Sequence, residues 1–329
     1  YGHGAVEVAE RLTRCGVDYF GVATIQEAIE LRVNNIRTPV LLLTSACAND
    51  VDVFLKYSII PTVADKSTGI ALNNLLKRRR KKMPVHIKID TGMGRIGVWH
   101  AEAFDFVECL WHLSQLVLEG IYTHLPSADE DERFTHTQLK LFSDFVGALE
   151  ERGISIGLKH VANSAALMRY RQSCFNLVRP GIMIYGLYAD AHSRRYLRLK
   201  PALSFKTQIA YLKQVAAGRS ISYGRTFITK KNATIATLPV GYADGYNRLL
   251  SNKAAVLVEG KRCPVVGRVC MDHTMVDVTV TGARVGSEVV LIGRQKGAYI
   301  GAEEIATLCS TISYEVVCWI SKRVPRIYR

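Results

Sequence analysis

Strand and helix signals alternate from the start of the chain to about residue 178. Apolar residues recur at helical spacing over 6–15, and the run YFGVAT at 19–24 then reads as a buried strand leading into a helix over 25–33. Further strands are predicted at 40–44, 59–63, 85–90, 117–124, 159–162 and 175–178. Helices are predicted between them at 50–57, 67–80, 104–113, 135–152 and 165–170. A strand that returns to its own sheet through a helix must pair in parallel, and each crossover here is long enough to do so. About seven such β/α units predict an α/β fold, a TIM-type parallel barrel that needs one more strand, ahead of Tyr1, to close. Past residue 197 the helical period fades, and short β-rich runs at 205–215, 233–240, 255–259, 263–269, 275–280 and 288–292 follow one another. Gly218, Gly241, Gly260, Gly267 and Gly286 punctuate them. The expected division is therefore a barrel over 1–196 and a mainly antiparallel β domain over 197–329, with one short helix at 302–309.

The 329 residues are 48% hydrophobic, enough for two real cores. A net charge of +14 raises the question of nucleic acid, but the cations are dispersed and not set among stacking aromatics. Their single run, Lys77 to Lys82, closes a predicted helix, where cations face the carbonyl end. No nucleic-acid partner is expected. Eight cysteines without a CxxC pair read as small core residues in a reducing compartment, hence a cytoplasmic location, and no metal site is expected. No apolar stretch approaches the roughly 20 residues that span a bilayer, and no signal peptide is evident. Since the chain opens on Tyr1-Gly2-His3-Gly4 without an initiator Met, residues ahead of Tyr1 are expected. An upstream membrane segment is compatible with that expectation.

Polar residues gather at the predicted strand ends. Asn163 and Ser164 suit the start of the helix over 165–170, and Arg179, Pro180, Gly181 and Ile182 follow the strand at 175–178. If those strands are neighbours, backbone N–H groups, a hydroxyl and a guanidinium meet at one rim, which suits a phosphate on a planar ring. An ordinary barrel edge with a capped helix accounts for the same stretch equally well. Lys88 lies near a strand end, where a lone buried cation is costly and calls for a partner or a modification. Arg95 follows in a glycine-loosened loop, its fork able to bond two oxygens of a carboxylate or phenolate. His124 closes another strand. In the second domain, the turn around Tyr242, the segment carrying Met271 and Asp272, and the stretch 311–316 with Tyr314 are predicted as loop-presented polar sets.

The motifs YGHG, KIDTGMGRIG, YTH followed by SADE, HVANSAA, VRPGIMIYG, PVGYADGYNR, GRVCMDHTMVDVT, TISYEV and RVPRIYR stand in the order found in alanine racemases. The chain resembles that family, pyridoxal-phosphate enzymes built from a barrel and a β domain, over essentially its whole length. The resemblance implies a homodimer that interconverts L- and D-alanine for peptidoglycan, by proton transfer between two bases on opposite faces of Cα. It implies pyridoxal 5'-phosphate held by Tyr1, Asn163, Ser164, Gly181, Ile182 and Tyr314, with Arg179 facing the pyridine nitrogen. It further implies that Lys88 is carbamylated and orients Arg95, which touches the phenolic oxygen and the substrate carboxylate. Tyr242 of the second subunit would be one base, tied to His124 and Arg179, with Met271 and Asp272 bordering the carboxylate. A free tyrosine, with a pKa of about 10, needs positive charge nearby to serve as a base.

In that family the other base, the lysine that carries the cofactor, lies just before YGHG. It is therefore expected ahead of Tyr1, and the 329 residues taken alone are expected to be inactive. Two other readings are a serine racemase domain of a vancomycin-resistance membrane protein and a non-catalytic cofactor-binding relative. Where those serine enzymes place asparagine, this chain has Tyr314, which favours alanine. Basic amino-acid decarboxylases share the architecture but place a carboxylate at the pyridine nitrogen, where Arg179 stands here. Pro126-Ser127 departs from the commoner family loop and leaves substrate breadth open.

Overall fold

The computed structural model describes residues 1–329, apart from the side chain of Ala191, as two compact units. One comprises Ala5–Gly181 with Asp190–Leu197; the other comprises Tyr1–Gly4, Ile182–Ala189 and Arg198–Arg329. Among the described residues no helix is long and apolar enough to cross a membrane.

The first unit keeps the expected alternation. Strands β1 (Phe20–Val22), β2 (Val40–Ser45), β3 (Ile59–Val63), β4 (Met83–Asp90), β5 (Val98–Trp99), β6 (Leu116–Tyr122) and β7 (Leu158–His160) form one curled parallel sheet. Its order is β1-β2-β3-β4-β6-β7, with β5 beside β4. Helices α1 (Ala5–Arg14), α2 (Ile25–Val33), α3 (Val51–Tyr57), α4 (Lys66–Arg79), α5 (Ala103–Trp111), α6 (Glu132–Glu151) and α7 (Ser164–Arg169) intervene. Side-chain caps explain several of their starts: Thr24, Asp65, Asp131 and Asn163 each accept a backbone N–H of the first turn. The strand expected at 175–178 does not form. Phe175 has φ 34, in the left-handed region, and Leu177 makes only an isolated parallel bridge to His160.

In β4 the alternation is sharp. Ile87 and Ile89 are wholly buried on one face, while His86, Lys88 and Asp90 share the other. Register puts Thr62 beside His86, His86 beside Gly120, Lys88 beside Tyr122, and Tyr122 beside His160. The inner face of the sheet is thus lined by buried polar groups where branched aliphatics usually fill a barrel. Such a lining is costly to bury and points to a chemical use.

The second unit is antiparallel throughout. Its strands are β8 (Phe205–Gln208), β9 (Tyr211–Val215), β10 (Ser220–Ile221), β11 (Phe227–Ile228), β12 (Ala233–Leu238), β13 (Ala255–Val258), β14 (Lys261–Pro264), β15 (Thr274–Asp277), β16 (Glu288–Gln295) and β17 (Ala298–Ile300). They pair as β15-β12-β9, as β14-β13-β16-β17 with β8 on β16, and as the hairpin β10-β11. The run predicted as one strand over 205–215 therefore divides between two sheets. Helix α8 (Ala302–Cys309) lies where expected, but a second helix, α9 (Ser313–Trp319), replaces the loop predicted at 311–316. No side chain caps α9, and its stability comes from tertiary burial of Val316 and Val317 in the apolar cluster of this unit. The amino terminus is strapped down by the carboxyl-terminal segment: Arg326 donates to the Gly2 carbonyl at 3.0 Å, and the Tyr328 hydroxyl donates to that of His3 at 3.0 Å.

Candidate active site

At the carboxyl end of β4 the chain wraps around one carboxylate. Asp90 accepts backbone N–H bonds from Gly92, Met93 and Arg95 at 2.8, 2.7 and 3.2 Å. Both Asp90 oxygens are spent on the loop, which is thereby shaped to present Arg95. Lys88, two residues earlier, is buried over the face of Tyr122 at 4.6 Å, and its Nζ has no hydrogen-bond partner. Burial, with Arg179 and Arg95 adding, holds the Lys88 ammonium well below its ordinary range, against the opposing pull of Asp90.

Arg179 is half-buried and has no carboxylate bonded to it. Its Nη1 donates to His160 Nδ1 at 2.6 Å and to the His160 carbonyl at 2.8 Å, and its Nη2 donates to the carbonyls of Thr123 and Val161 at 2.7 and 3.0 Å. Burial pushes its pKa down to about 10, so it remains a cation at neutral pH. His124, half-buried beyond the end of β6, is pushed down to about 3 by burial and by Arg179, Lys88 and Arg95, and stands neutral. Ser164 opens α7, and its Oγ accepts from the backbone N–H of Gly181 at 2.9 Å, while Asn163 caps the helix and donates to the Leu125 carbonyl at 3.0 Å. Lys88, Arg95, His124, Asn163, Ser164, Arg179 and Gly181 accordingly all fall in the barrel unit.

The remaining predicted residues fall in the other unit, in two groups. Tyr1 lies 5.1 Å from Tyr185 and 5.9 Å from Tyr314, ring to ring, and the wholly buried Ile182 belongs to the apolar cluster of that unit. Tyr242, in a short 3-10 turn, is bound through its backbone N–H to the Cys270 carbonyl at 3.1 Å, and Ala243 is bound likewise to that of Met271 at 3.0 Å. Arg323 ties the same loops together by salt bridges to Asp244 at 2.7 Å and Asp272 at 2.6 Å. Tyr242 and Met271 are 42% and 53% exposed, side chains held by backbone bonds yet turned outward.

Sequence reasoning missed Tyr122, His160, His86 and Glu119. The Tyr122 ring stacks on His160 at 4.5 Å, and its hydroxyl meets Thr62 Oγ1 at 2.9 Å. Isolated histidines inside strands carry no spacing signal. One hint was available: Gly120 interrupts β6, and a Cβ there would fall 2.4 Å from the His86 ring, so the glycine makes room for an imidazole inside the sheet.

Comparison with known proteins bears on both units. Residues 1–189 match the family model described as alanine racemase, N-terminal domain, and residues 202–328 match that described as alanine racemase, C-terminal domain. Alanine racemase 2 of Caldanaerobacter subterraneus subsp. tengcongensis is 48% identical, over all of this chain and 85% of the relative. The solved alanine racemase of Bacillus anthracis with bound L-Ala-P superposes with a TM-score of 0.93 at 40% identity, covering 99% of this chain and 85% of that one. That of Bartonella henselae, with covalently bound pyridoxal phosphate, gives 0.89 at 30% identity, over all of this chain and 90% of that one. Sequence and fold agree along the whole length, and the chain belongs to the alanine racemase family.

Proposed function

We propose that this protein interconverts L- and D-alanine with pyridoxal 5'-phosphate, as a homodimer. On this reading residues 1–196 hold the cofactor and 197–329 form the β domain that serves a neighbouring copy. The observation that carries the reading is the surplus of positive charge on the inner face of the barrel unit. Lys88 has an orphaned Nζ, Arg179 has no carboxylate bonded to it, and Asp90, the carboxylate that acts on Lys88, is consumed by its loop. Such a surplus fits an anionic ligand, and the phosphate and phenolic oxygen of the cofactor supply the anion. Tyr1, Asn163, Ser164, Gly181, Ile182 and Tyr314 would hold the phosphate end, and Arg179 would face the pyridine nitrogen.

When bound, the cofactor offers an electron-accepting ring that makes the Cα proton of an amino acid removable. The chain's own side chains then decide the outcome. A guanidinium can only donate, so a ring nitrogen against Arg179 keeps its lone pair and stays unprotonated, which favours return of a proton to Cα over transamination. Arg95 would grip the substrate carboxylate, bordered by Met271 and Asp272 of the second subunit. The Tyr242 hydroxyl would exchange the Cα proton on one face. His124, being neutral, can hydrogen-bond to that phenol without adding a like charge beside Arg179. Since burial disfavours the ammonium, the neutral Lys88 amine would add CO2 and release a proton to give a carbamate, an anion that the nearby charges of Arg179 and Arg95 favour, and mass spectrometry of the intact protein under bicarbonate checks it.

The test is D-alanine formation from L-alanine by the full-length protein, read by D-amino-acid oxidase. Alanine is expected to turn over at least about tenfold faster than serine. A preference for serine would favour the serine racemase reading, and binding of the cofactor without any turnover would favour the non-catalytic one.

A further inference from the structure

The barrel interior holds a second polar feature that the proposed chemistry does not use. From Arg179 a line of side chains runs across the inner face of the sheet. Arg179 Nη1 meets His160 Nδ1 at 2.6 Å, and His160 Nε2 meets His86 Nδ1 at 2.8 Å. His86 Nε2 then faces Glu119 Oε2 at 3.6 Å, and the Tyr19 hydroxyl donates to Glu119 Oε1 at 3.0 Å. Both imidazoles are fully buried. His86 Nε2 and Glu119 Oε2 are buried too, and neither has another partner. Gly120 leaves the space that His86 occupies.

The direction of the two hydrogen bonds, Arg179 to His160 and His160 to His86, follows from one end, and the last step from His86 to Glu119 is a charge contact longer than a hydrogen bond. Arginine has five N–H donors and no acceptor, so His160 Nδ1 must accept. A neutral His160 then carries its proton on Nε2 and donates it to His86 Nδ1. By the same step His86 carries its proton on Nε2, aimed at Glu119. The line ends on a carboxylate, the one group in it able to bring negative charge. We propose that Glu119 is the remote counter-ion of Arg179, a positioning residue whose charge reaches the guanidinium through the aligned imidazoles of His86 and His160. Hydrogen bonds in such a line polarise one another, and the low dielectric of the interior lets the effect carry further than in water. The consequence is a guanidinium held in place and partly neutralised without a carboxylate beside the ring nitrogen, where one would protonate it through a shared hydrogen. The inference rests on the reading of Arg179 as the group facing that nitrogen.

The experiment compares the full-length wild type with Glu119→Gln and Glu119→Leu. Side-chain nitrogen NMR of histidine-labelled protein, recorded without substrate, reads the tautomers directly. Both His86 and His160 are expected as Nε2–H in the wild type, and Glu119→Leu is expected to move His86 toward Nδ1–H. Glu119→Gln keeps an acceptor and loses the charge. It is expected to keep the tautomers and still lower kcat for alanine about tenfold, with the cofactor retained, as loss of a partner to a charged hydrogen-bond chain should. His86 found as Nδ1–H in the wild type, or a Glu119→Gln variant with kcat within about twofold of the wild type, overturns the proposal. A wild type that turns over no alanine overturns the reading beneath it, while the tautomers still decide whether the relay exists.

Discussion

Arg179, Lys88 and His124 show how a few buried and half-buried groups bear on the proposed chemistry and also tie stability to pH. A histidine in the unfolded chain takes up its proton near 6.5, whereas folded His124 does so only at about 3. Between those values the unfolded state binds the extra proton, so stability falls as the pH drops through that window. His160, depressed by burial and by Arg179, acts in the same direction. The urea midpoint is therefore expected to fall on acidification from neutrality toward about pH 5, and His124→Gln to make that fall shallower. A midpoint that rises on acidification would contradict the neutral state of these imidazoles. For the chemistry itself, Tyr242→Phe is expected to lower racemisation by roughly a hundredfold or more while cofactor affinity stays within a few-fold. Equal loss of both, measured by turnover and by cofactor titration, would leave Tyr242 a binding residue and not a base. Ser164 and Lys88 were legible in the sequence because helix and strand ends expose polar groups, whereas Arg179 was expected after a strand at 175–178 that does not form. His86, His160 and Glu119 were not, since their meaning lies in the register of three strands, and a single strand's alternation does not reveal which polar groups will face each other.

The elements of the barrel unit were legible where local chemistry and tertiary packing agree. Thr24 and Glu27 form a capping box at the start of α2, and Asp65 and Asp131 bond the first turns of α4 and α6, so those starts were found within a few residues. Where one level overrides the other, sequence reading failed. The residues 175–178 have strand character, but the left-handed backbone at Phe175 prevents a ladder, and α9 forms without a cap because the core demands Val316 and Val317. The loop bearing Tyr242 is a case in which geometry and not propensity rules. Gly241 has an extended backbone that any residue could adopt, yet a Cβ there would lie 2.2 Å from the Cys270 carbonyl oxygen and 2.4 Å from that of Met271. Gly241→Ala must therefore push apart the two loops that the backbone bonds of Tyr242 and Ala243 hold together. Its expected effect is a loss of stability of about 1–3 kcal/mol by denaturant titration, with a larger proportional loss of turnover than of cofactor affinity. A variant with wild-type turnover would show that these loops need no fixed spacing.

At the scale of the assembled molecule, the question is which chain supplies Tyr242 to which site. The proposal places Arg95 and Arg179 from one barrel opposite Tyr242 and Asp272 from the other copy, and the exposure of Tyr242 and Met271 on backbone-anchored loops suits side chains meant for a partner. Two variants separate shared sites from self-contained ones: Tyr242→Phe, and Arg95→Leu in the exposed loop after β4. Each alone is expected to be poorly active. In a mixed dimer with shared sites, one site combines Arg95 of the first chain with Tyr242 of the second and is intact, while the other site carries both defects. Equal mixing by co-expression should then restore about a quarter of wild-type turnover per chain, since half the dimers are mixed and each has one good site in two. If every site draws Arg95 and Tyr242 from the same chain, no mixed dimer has an intact site, and turnover stays at the mean of the two variants. Dilution adds an independent reading: if the phenol that exchanges the proton comes from the neighbouring copy, the restored turnover is expected to disappear as the chains separate, and turnover that survives dilution would contradict shared sites.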